Sequence, residues 1–410
     1  MKILNIGSCN IDYVYTVDHI VTGGETISTK NMEIFPGGKG LNQTIAAARA
    51  GADIYHAGCI GNNGGFLADI LADSGADISL IKRENIPNGH AIIQVDKYGE
   101  NCIFLYSGSN GVITEEYVDG VLKHFDKGDF LVLQNEVNNL EYIIKKGFEK
   151  GLQIVFNPAP FASELKNIDL KCISYLVVNE VEAKGFYDTD DYNDFISYII
   201  REYPHIKLVL TLGKVGSIYA DADNCIYQPA YVVNAVDTTA AGDTFIGYFV
   251  SLVASGKEYE RAMKYASAAS ALAVSEMGAA PSIPVYAEVE EALRSLVPGE
   301  SPEKTKEDLM KKKILHYIDQ NINTANLQEL AEVLGYSKSY AATYVKNIMT
   351  DGFTTVLQKR RCEFAADMLK NTTMSISEII SKTGYENETF FRNKFKEFYG
   401  VSPLAYRKNQ

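Results

Sequence analysis

The chain has 410 residues, 46% of them apolar types, no Trp and a formal net charge of −13 at pH 7, a length that points to two or three domains with sizeable cores. No apolar run reaches the ~18–20 residues of a membrane span. Met1-Lys2-Ile3-Leu4-Asn5-Ile6-Gly7 has no signal-peptide layout, and Cys9, Cys59, Cys102, Cys172, Cys225 and Cys362 form no CxxC pair, which points to reduced thiols in a cytoplasm. Residues 1–300 hold 22 Lys and Arg against 39 Asp and Glu, a net of −17, whereas residues 301–410 hold 17 against 13, a net of +4; an acidic body and a basic tail imply different partners.

Ile3-Leu4-Asn5-Ile6-Gly7-Ser8 reads as a strand, with Asn10 and Asp12 just beyond its end, where ligands of α/β sheets gather. Ordinary turn chemistry fits the same two residues. Val14–Thr29 and Ala91–Tyr106 alternate as strands outside the βα rhythm, and Lys97-Tyr98-Gly99-Glu100 is a hairpin signal. Phe35-Pro36-Gly37-Gly38-Lys39-Gly40-Leu41-Asn42-Gln43 is a glycine turn entering an Ala-rich helix. It is no Walker A loop, because Gly40 follows the lysine where Ser or Thr is required.

Further strands follow at Phe130–Glu136, Ile154–Pro160 and Leu176–Val178. Asn179 and Glu182, three apart at a helix start, suit a capping box or a face that holds water on Mg²⁺. Leu208–Leu210 runs into the turn Thr211-Leu212-Gly213-Lys214-Val215-Gly216. Tyr231-Val232-Val233 reads as a short strand, followed by the small residues Asp237-Thr238-Thr239-Ala240-Ala241-Gly242-Asp243 and a buried helix over Phe245–Val253. Free N–H groups at a helix start can hold an anion, and a carboxylate beside them can take a proton from a hydroxyl. An ordinary N-capped helix fits these residues too.

Asp237–Asp243 resembles the DTxGAGD signature of the ribokinase (PfkB) family of sugar kinases, with Ala240 where most members have Gly. Gly37–Gln43 resembles the family's GGKGxNQ signature, and Asn179–Glu182 its NxxE motif. The resemblance runs from Lys2 to about Leu296. It implies an α/β fold over 1–297, a ribokinase-like three-layer α/β/α sandwich with a small β lid at about 13–30 and 90–107, and a homodimer clasped through that lid. It implies an ATP-dependent carbohydrate kinase in which Asp243 is the catalytic base and the N–H groups of Ala241, Gly242 and Asp243 form the anion hole. Asn10, Asp12, Gly38, Lys39, Gly40, Leu41, Asn42, Glu136 and Asp243 would meet the sugar. Asn179, Thr211, Leu212, Gly213, Lys214, Val215, Gly216 and Gly242 would meet the nucleotide. Asn179 and Glu182 would serve Mg²⁺, and Asp237, Thr239, Ala273, Glu276, Gly278 and Ser282 a monovalent cation, K⁺. Ser267 departs from a His near the adenine in the ribokinase pattern. Ribose to ribose 5-phosphate is the expected reaction, with deoxyribose, a nucleoside or another furanose as alternatives.

Residues 298–310 have a linker's Pro/Gly/charged composition, and beyond them the sequence reads helical. A capped helix over Asn326–Ser337, stopping at Gly335, precedes a second over Lys338–Met349, a helix-turn-helix pattern. It repeats at Ile376–Tyr385 and Glu388–Tyr399, joined by a helix over Thr355–Leu369. Phe390-Phe391-Arg392-Asn393-Lys394-Phe395-Lys396, with Gly400-Val401-Ser402-Pro403, resembles the AraC-type transcription-factor signature. That implies an all-α double helix-turn-helix domain over 311–410 that binds double-stranded DNA, with Lys338, Thr343, Lys346, Arg392, Asn393 and Lys396 as outward candidates. Glu386 and Glu388 would repel phosphates. The alternative to a bifunctional kinase is a sugar-sensing transcription factor whose kinase fold no longer turns over.

Overall fold

The computed structural model describes residues 1–408 except Gly99, Asp190, Ser301, Gly335 and Glu386, with backbone only for 302–309 and 312. The expected helix stop at Gly335, the acidic Glu386, the hairpin residue Gly99 and Ser301 of the expected linker therefore lie outside the described residues. The chain divides into two compact units, Met1–Glu300 and the remainder.

The strands of the first unit, in chain order, are β1 (Ile3–Ile6), β2 (Asn10–Thr16), β3 (Asn31–Gly37), β4 (Ile54–Ile60), β5 (Asp77–Arg83), β6 (Gly89–Val95) and β7 (Asn101–Tyr106). They continue as β8 (Phe130–Gln134), β9 (Gln153–Asn157), β10 (Tyr175–Asn179), β11 (Lys207–Thr211), β12 (Gly216–Ala220) and β13 (Cys225–Pro229). Nine form one sheet in the order β13-β12-β11-β10-β9-β8-β1-β4-β5, parallel except for β12 and β13 at one edge. Both faces are buried, so the central strands are mostly apolar. Alternate residues still separate cleanly: Phe130, Val132, Val155, Val177 and Val209 enter one core, and Leu131, Leu133, Phe156, Val178 and Leu210 the other. These two cores make the three layers.

Successive crossovers leave β1 in opposite directions, toward β4 and β5 on one side and β8 to β11 on the other. Such a switch point opens a crevice at the carboxyl ends of its strands. The residues after β1 and β8 therefore face common ground. The helices Lys39–Arg49 and Ala241–Ala254 cross closely over this point. A Cβ at Gly247 would lie 2.4 Å from Ala46 Cβ and 2.6 Å from the Gln43 carbonyl oxygen, so only glycine permits the approach.

The second sheet, β3-β2-β6-β7, corrects the expected lid. Gly89–Val95 and Asn101–Tyr106 pair antiparallel as the Ala91–Tyr106 hairpin was expected to, but in place of one strand over Val14–Thr29 there are two, Asn10–Thr16 and Asn31–Gly37, with no strand across 17–30. Asn10 opens β2 rather than following a strand in a turn. The Asn31-Met32-Glu33-Ile34 start of β3 is exposed, its apolar Met32 and Ile34 included, so burial does not mark this strand in the sequence. Tyr231-Val232-Val233 is not a strand either; Tyr231 makes one isolated bridge to Pro298. The expected linker also needs correction. Residues 297–300 are tied to the first unit by Val232 N–H to the Val297 carbonyl (2.9 Å) and Gly299 N–H to the Ala230 carbonyl (2.7 Å). A helix then runs Pro302–Gln320 through the rest of the segment; proline's fixed φ suits a first helical turn.

The second unit continues with helices Leu327–Leu334, Lys338–Met349, Phe353–Asn371, Ile376–Lys382, Glu388–Tyr399 and Pro403–Lys408. The long helix Phe353–Asn371 serves two cores. Phe353, Val356 and Leu357 pack with Leu330, Leu334 and Val345, while Cys362, Ala365 and Leu369 pack with Ile379, Phe391 and Phe395. The two reading-helix candidates start alike. Ser337 Oγ accepts from Tyr340 N–H (3.3 Å), and Asn387 Oδ1 from Phe390 N–H (2.9 Å).

Candidate active site

Asp243 occupies the first turn of the helix Ala241–Ala254 and is 6% exposed. Its carboxylate is gripped from the start of the neighbouring helix. Gln43 Nε2 donates to Oδ1 (3.0 Å), Asn42 Nδ2 donates to Oδ2 (3.3 Å), and Lys39 Nζ lies 3.9 Å from Oδ1. The Lys39 ammonium is held above its ordinary pKa, chiefly by Asp243 and also by Glu136 and Glu182, against the effect of burial. Gln43 is fixed in turn, since Gln134 Nε2 donates to its Oε1 (2.7 Å) and its Nε2 also reaches Asn157 Oδ1 (3.3 Å). Asn157 Nδ2 donates to the Val177 carbonyl (3.0 Å), an obligate acceptor that settles which end of each amide faces which. Gln43, Gln134 and Asn157 escaped the sequence reading; Gln43 lay inside the quoted glycine motif, but the other two gave no local signal.

Beside Asp243 the backbone is open. Ala240 takes φ 59° and ψ 8°, the left-handed region at the position most of the resembling sequences fill with glycine. Among the described residues the N–H groups of Gly242 and Asp243 meet no acceptor, and a Cβ built on Gly242 would touch nothing. The Ala241 N–H differs from expectation: it donates to the Thr238 carbonyl (3.3 Å). Two open amides at a helix start, with room in front, form an anion cradle.

Asp12 and Glu136 line the other side. The Asp12 carboxyl lies against Gly37, where an added Cβ would fall 2.0 Å from Oδ2. Burial, with Glu136 adding repulsion, pushes Asp12 up to about 7. Burial also raises Glu136, opposed by Lys39 and by hydrogen bonds from Ser8 Oγ and the Lys39 N–H (2.9 Å). Gly38 has φ 94°, and a Cβ there would lie 2.9 Å from the Asn10 backbone N. Asn42 Oδ1 is buried without a hydrogen-bond partner.

Two expected sugar contacts fail. Leu41 is packed in the core and its N–H donates to the Ser8 carbonyl; Gly40 N–H bonds Ser8 Oγ (3.2 Å) and its carbonyl accepts from Asn5 Nδ2 (3.1 Å). Gly40 is needed instead for contact, because its Cβ would come 2.6 Å from Gly7 Cα.

Asn179 and Glu182 form the capping box. Asn179 Oδ1 accepts from Glu182 N–H, and Glu182 Oε2 from Asn179 N–H, both at 2.9 Å. Burial raises Glu182, against Asn179 and Lys39. Thr211 to Gly216 make the tight β11–β12 turn, with Leu212 N–H on the Gly216 carbonyl (2.8 Å) and Gly213 at φ 52°. The Leu212 side chain is in the core, Val215 packs against it and Lys214 is exposed, so this turn offers backbone more than side chains. Asp237 draws two loops together. Oδ1 accepts from Thr239 N–H (2.9 Å) and Oδ2 from Gly278 N–H (3.0 Å). Burial would raise its pKa, but these bonds outweigh it and hold the carboxyl low. Of the other cation candidates, Ser282 Oγ donates to the Ala279 carbonyl (2.9 Å), the Ala273 carbonyl accepts from Glu276 N–H (3.3 Å), and the Glu276 side chain is exposed.

In the second unit Lys338, Thr343, Lys346, Asn393 and Lys396 are exposed. Arg392 is not free as expected. Its Nε and Nη2 both donate to Glu388 Oε1, at 2.8 and 2.6 Å, one helical turn back.

Residues 1–286 match the model of the pfkB family carbohydrate kinases. The chain belongs to that family. The ribokinase of Staphylococcus aureus is 38% identical over 304 residues, covering 70% of this chain and 98% of its own. That of Bacillus subtilis is 34% identical over 293 residues, with the same shares. The crystal structure of ribokinase from Cryptococcus neoformans in complex with ADP has a TM-score of 0.63 at 31% identity, covering 71% of this chain and 99% of its own. Residues 330–409 match a helix-turn-helix domain, of AraC type. The pfkB unit is thus an ATP-dependent sugar kinase, fused to an AraC-type helix-turn-helix. Among the described residues no three His, Cys, Asp or Glu side chains cluster as a metal cage. The buried Glu182 carboxylate beside the Asn179 amide is a donor pair suited to the water of a phosphate-bound Mg²⁺. Among the described residues, no helix is long and apolar enough to cross a membrane.

Proposed function

We propose that the pfkB unit phosphorylates D-ribose to ribose 5-phosphate and that the chain is a cytoplasmic homodimer. The observation that carries the reaction is the Asp243 carboxylate, held by Gln43 and Asn42 within a turn whose next amides are open. Asp12, Asn10 and Glu136 bind the sugar hydroxyls, and Asp243 removes the proton of the primary hydroxyl. The Gly242 and Asp243 N–H groups neutralise charge on the transferred phosphoryl group. Phosphoryl transfer needs mainly alignment and charge neutralisation, which these residues supply. The β11–β12 turn and Asn179 would meet the nucleotide. Glu182 and Asn179 would orient the water of a phosphate-bound Mg²⁺, which supplies further charge neutralisation. The loops joined through Asp237 and Gly278 would hold K⁺ through carbonyl oxygens. Asp243→Asn should bind ribose with little change while losing at least ~10³ of kcat, a loss of the order expected for removing a general base. ADP release measured over ribose, deoxyribose, nucleosides and fructose tests substrate and base together; near-wild-type turnover in the variant would remove Asp243 from its role.

A regulatory reading accompanies this one because the kinase stands beside a DNA-binding domain: sugar or nucleotide alters operator affinity. Binding-site selection from random duplexes, then titration with and without saturating ribose and ATP, tests it. Unchanged affinity would limit the two units to independent work. A sensor without turnover is the competing reading, and the same ADP assay decides between them.

A further inference from the structure

Asn10 can present its amide to a ligand in two ways, as an N–H donor or as a carbonyl acceptor. We infer that Asn110 is a positioning residue that fixes this choice, so that Asn10 offers its N–H to an acceptor oxygen of the sugar. The inference rests on the reading that Asn10 lies in the sugar site.

The Cys9 backbone N–H donates to Asn110 Oδ1 (3.1 Å). A backbone N–H can only donate, so this end of Asn110 must be the oxygen and the other end Nδ2. Asn110 Nδ2 then donates to Asn10 Oδ1 at 2.7 Å, which commits that oxygen and leaves Asn10 Nδ2 without a partner among the described residues. Both side chains are buried, yet Asn10 Nδ2 is not among the sealed orphan atoms. It therefore keeps access to open space. A second, independent feature protects the pair. Gly89 is the register partner of Asn10, and a Cβ there would lie 2.1 Å from Asn110 Nδ2 and 2.7 Å from Asn10 Oδ1. Any larger residue at 89 would force the amides apart.

The chemical consequence is a donor at Asn10 next to an acceptor at Asp12 on the same strand. A hydroxyl that gives its proton to the ionised Asp12 can accept from Asn10 at the same moment. With the Asn10 amide reversed, two acceptors would compete for one proton.

Asn110→Asp keeps the shape and the Cys9 bond but replaces the donor with an acceptor, so Asn10 must turn around. Steady-state kinetics on the full chain should show the ribose KM raised on the order of tenfold or more, since a buried polar group is left mispaired. The kcat and the ATP KM should stay within about twofold of wild type. Asn110→Ala, which introduces no charge, should raise the ribose KM by a smaller factor and serves if the Asp variant does not fold. Asn10→Ala should raise the ribose KM alone, and adding Asn110→Ala to it should change nothing further. Equal fractional losses of kcat and of thermal stability without a KM change would mean a scaffold role and overturn the inference. So would full additivity in the double variant. If Asn10→Ala itself leaves the ribose KM unchanged, the sugar-site reading falls first and takes the inference with it.

Discussion

Two buried titratable groups make the kinase unit sensitive to acid, one through substrate binding and the other through stability. Asp12, raised to about 7 by burial and then by Glu136, is neutral below that pH and ionises as pH rises through it. The ionised form is the better acceptor for sugar hydroxyls, so the ribose KM should fall from pH 6 to pH 8. Asp12→Asn should weaken ribose binding and flatten this limb, which initial-rate kinetics across pH will show. His56, wholly buried between Cys9 Sγ (3.2 Å) and Thr44 Oγ1 (2.8 Å), is lowered by burial to about 4 from 6.5. A depressed histidine means that the unfolded chain binds the extra proton first. Its contribution is therefore complete above pH 6.5 and is lost as pH falls toward 4, by about 3 kcal/mol in all. Urea unfolding of the kinase unit at pH 7 and pH 4.5 should show wild type losing stability relative to His56→Gln. Equal losses in the two would mean that His56 is protonated in the native state.

At the scale of elements, the legible parts were those whose burial writes a period into the sequence. The strands β8 to β11, buried on both faces, are continuous apolar runs, and the two helix-turn-helix repeats carry capped starts at Ser337 and Asn387. The glycine turn and the segment before Asp243 carried the site through their resemblance to family signatures. Strand β3 was hidden by its exposed start and by Pro36-Gly37, and Tyr231-Val232-Val233 looked like a strand although it finds no continuous partner. Asn110, Gln134 and Asn157 matter only through contacts 100 residues or more away for Asn110 and 91 or more for the others' bonds to the site, which no local pattern records. The helix crossing at Gly247 is the element on which site geometry turns. Gly247→Ala would overpack it against Ala46 and the Gln43 carbonyl, at a cost of about 1–3 kcal/mol. The expected outcome is a lower Tm and a kcat reduced by more than Tm alone explains, because Gln43 carries the grip on Asp243. Ala46→Gly should recover part of both, as the Cβ contact is relieved while the carbonyl contact remains.

For the whole molecule, charge separates the two units more sharply than composition does. A net of −17 on residues 1–300 repels DNA phosphates, while the +4 of residues 301–410 attracts them. Within the second unit, Arg392 is partly neutralised by Glu388. Non-specific DNA binding by the full chain should thus be weak and should depend on salt in two opposing ways. Phosphate contacts weaken as salt rises, because releasing the same counterions into a saltier solution gains less free energy. Repulsion from the kinase body also weakens, since the Debye length falls from about 30 Å at 0.01 M to about 8 Å at 0.15 M. A fragment starting at residue 301, which carries its own hydrophobic cores, keeps the attraction without the repulsion. It should bind a random duplex more tightly than the full chain at 20 mM salt, with the difference shrinking toward 200 mM. Fluorescence anisotropy on both proteins over this range measures the two slopes. Parallel slopes would mean that the acidic kinase surface stays beyond the screening distance of the DNA, and that its charge has no part in how the tail finds its site.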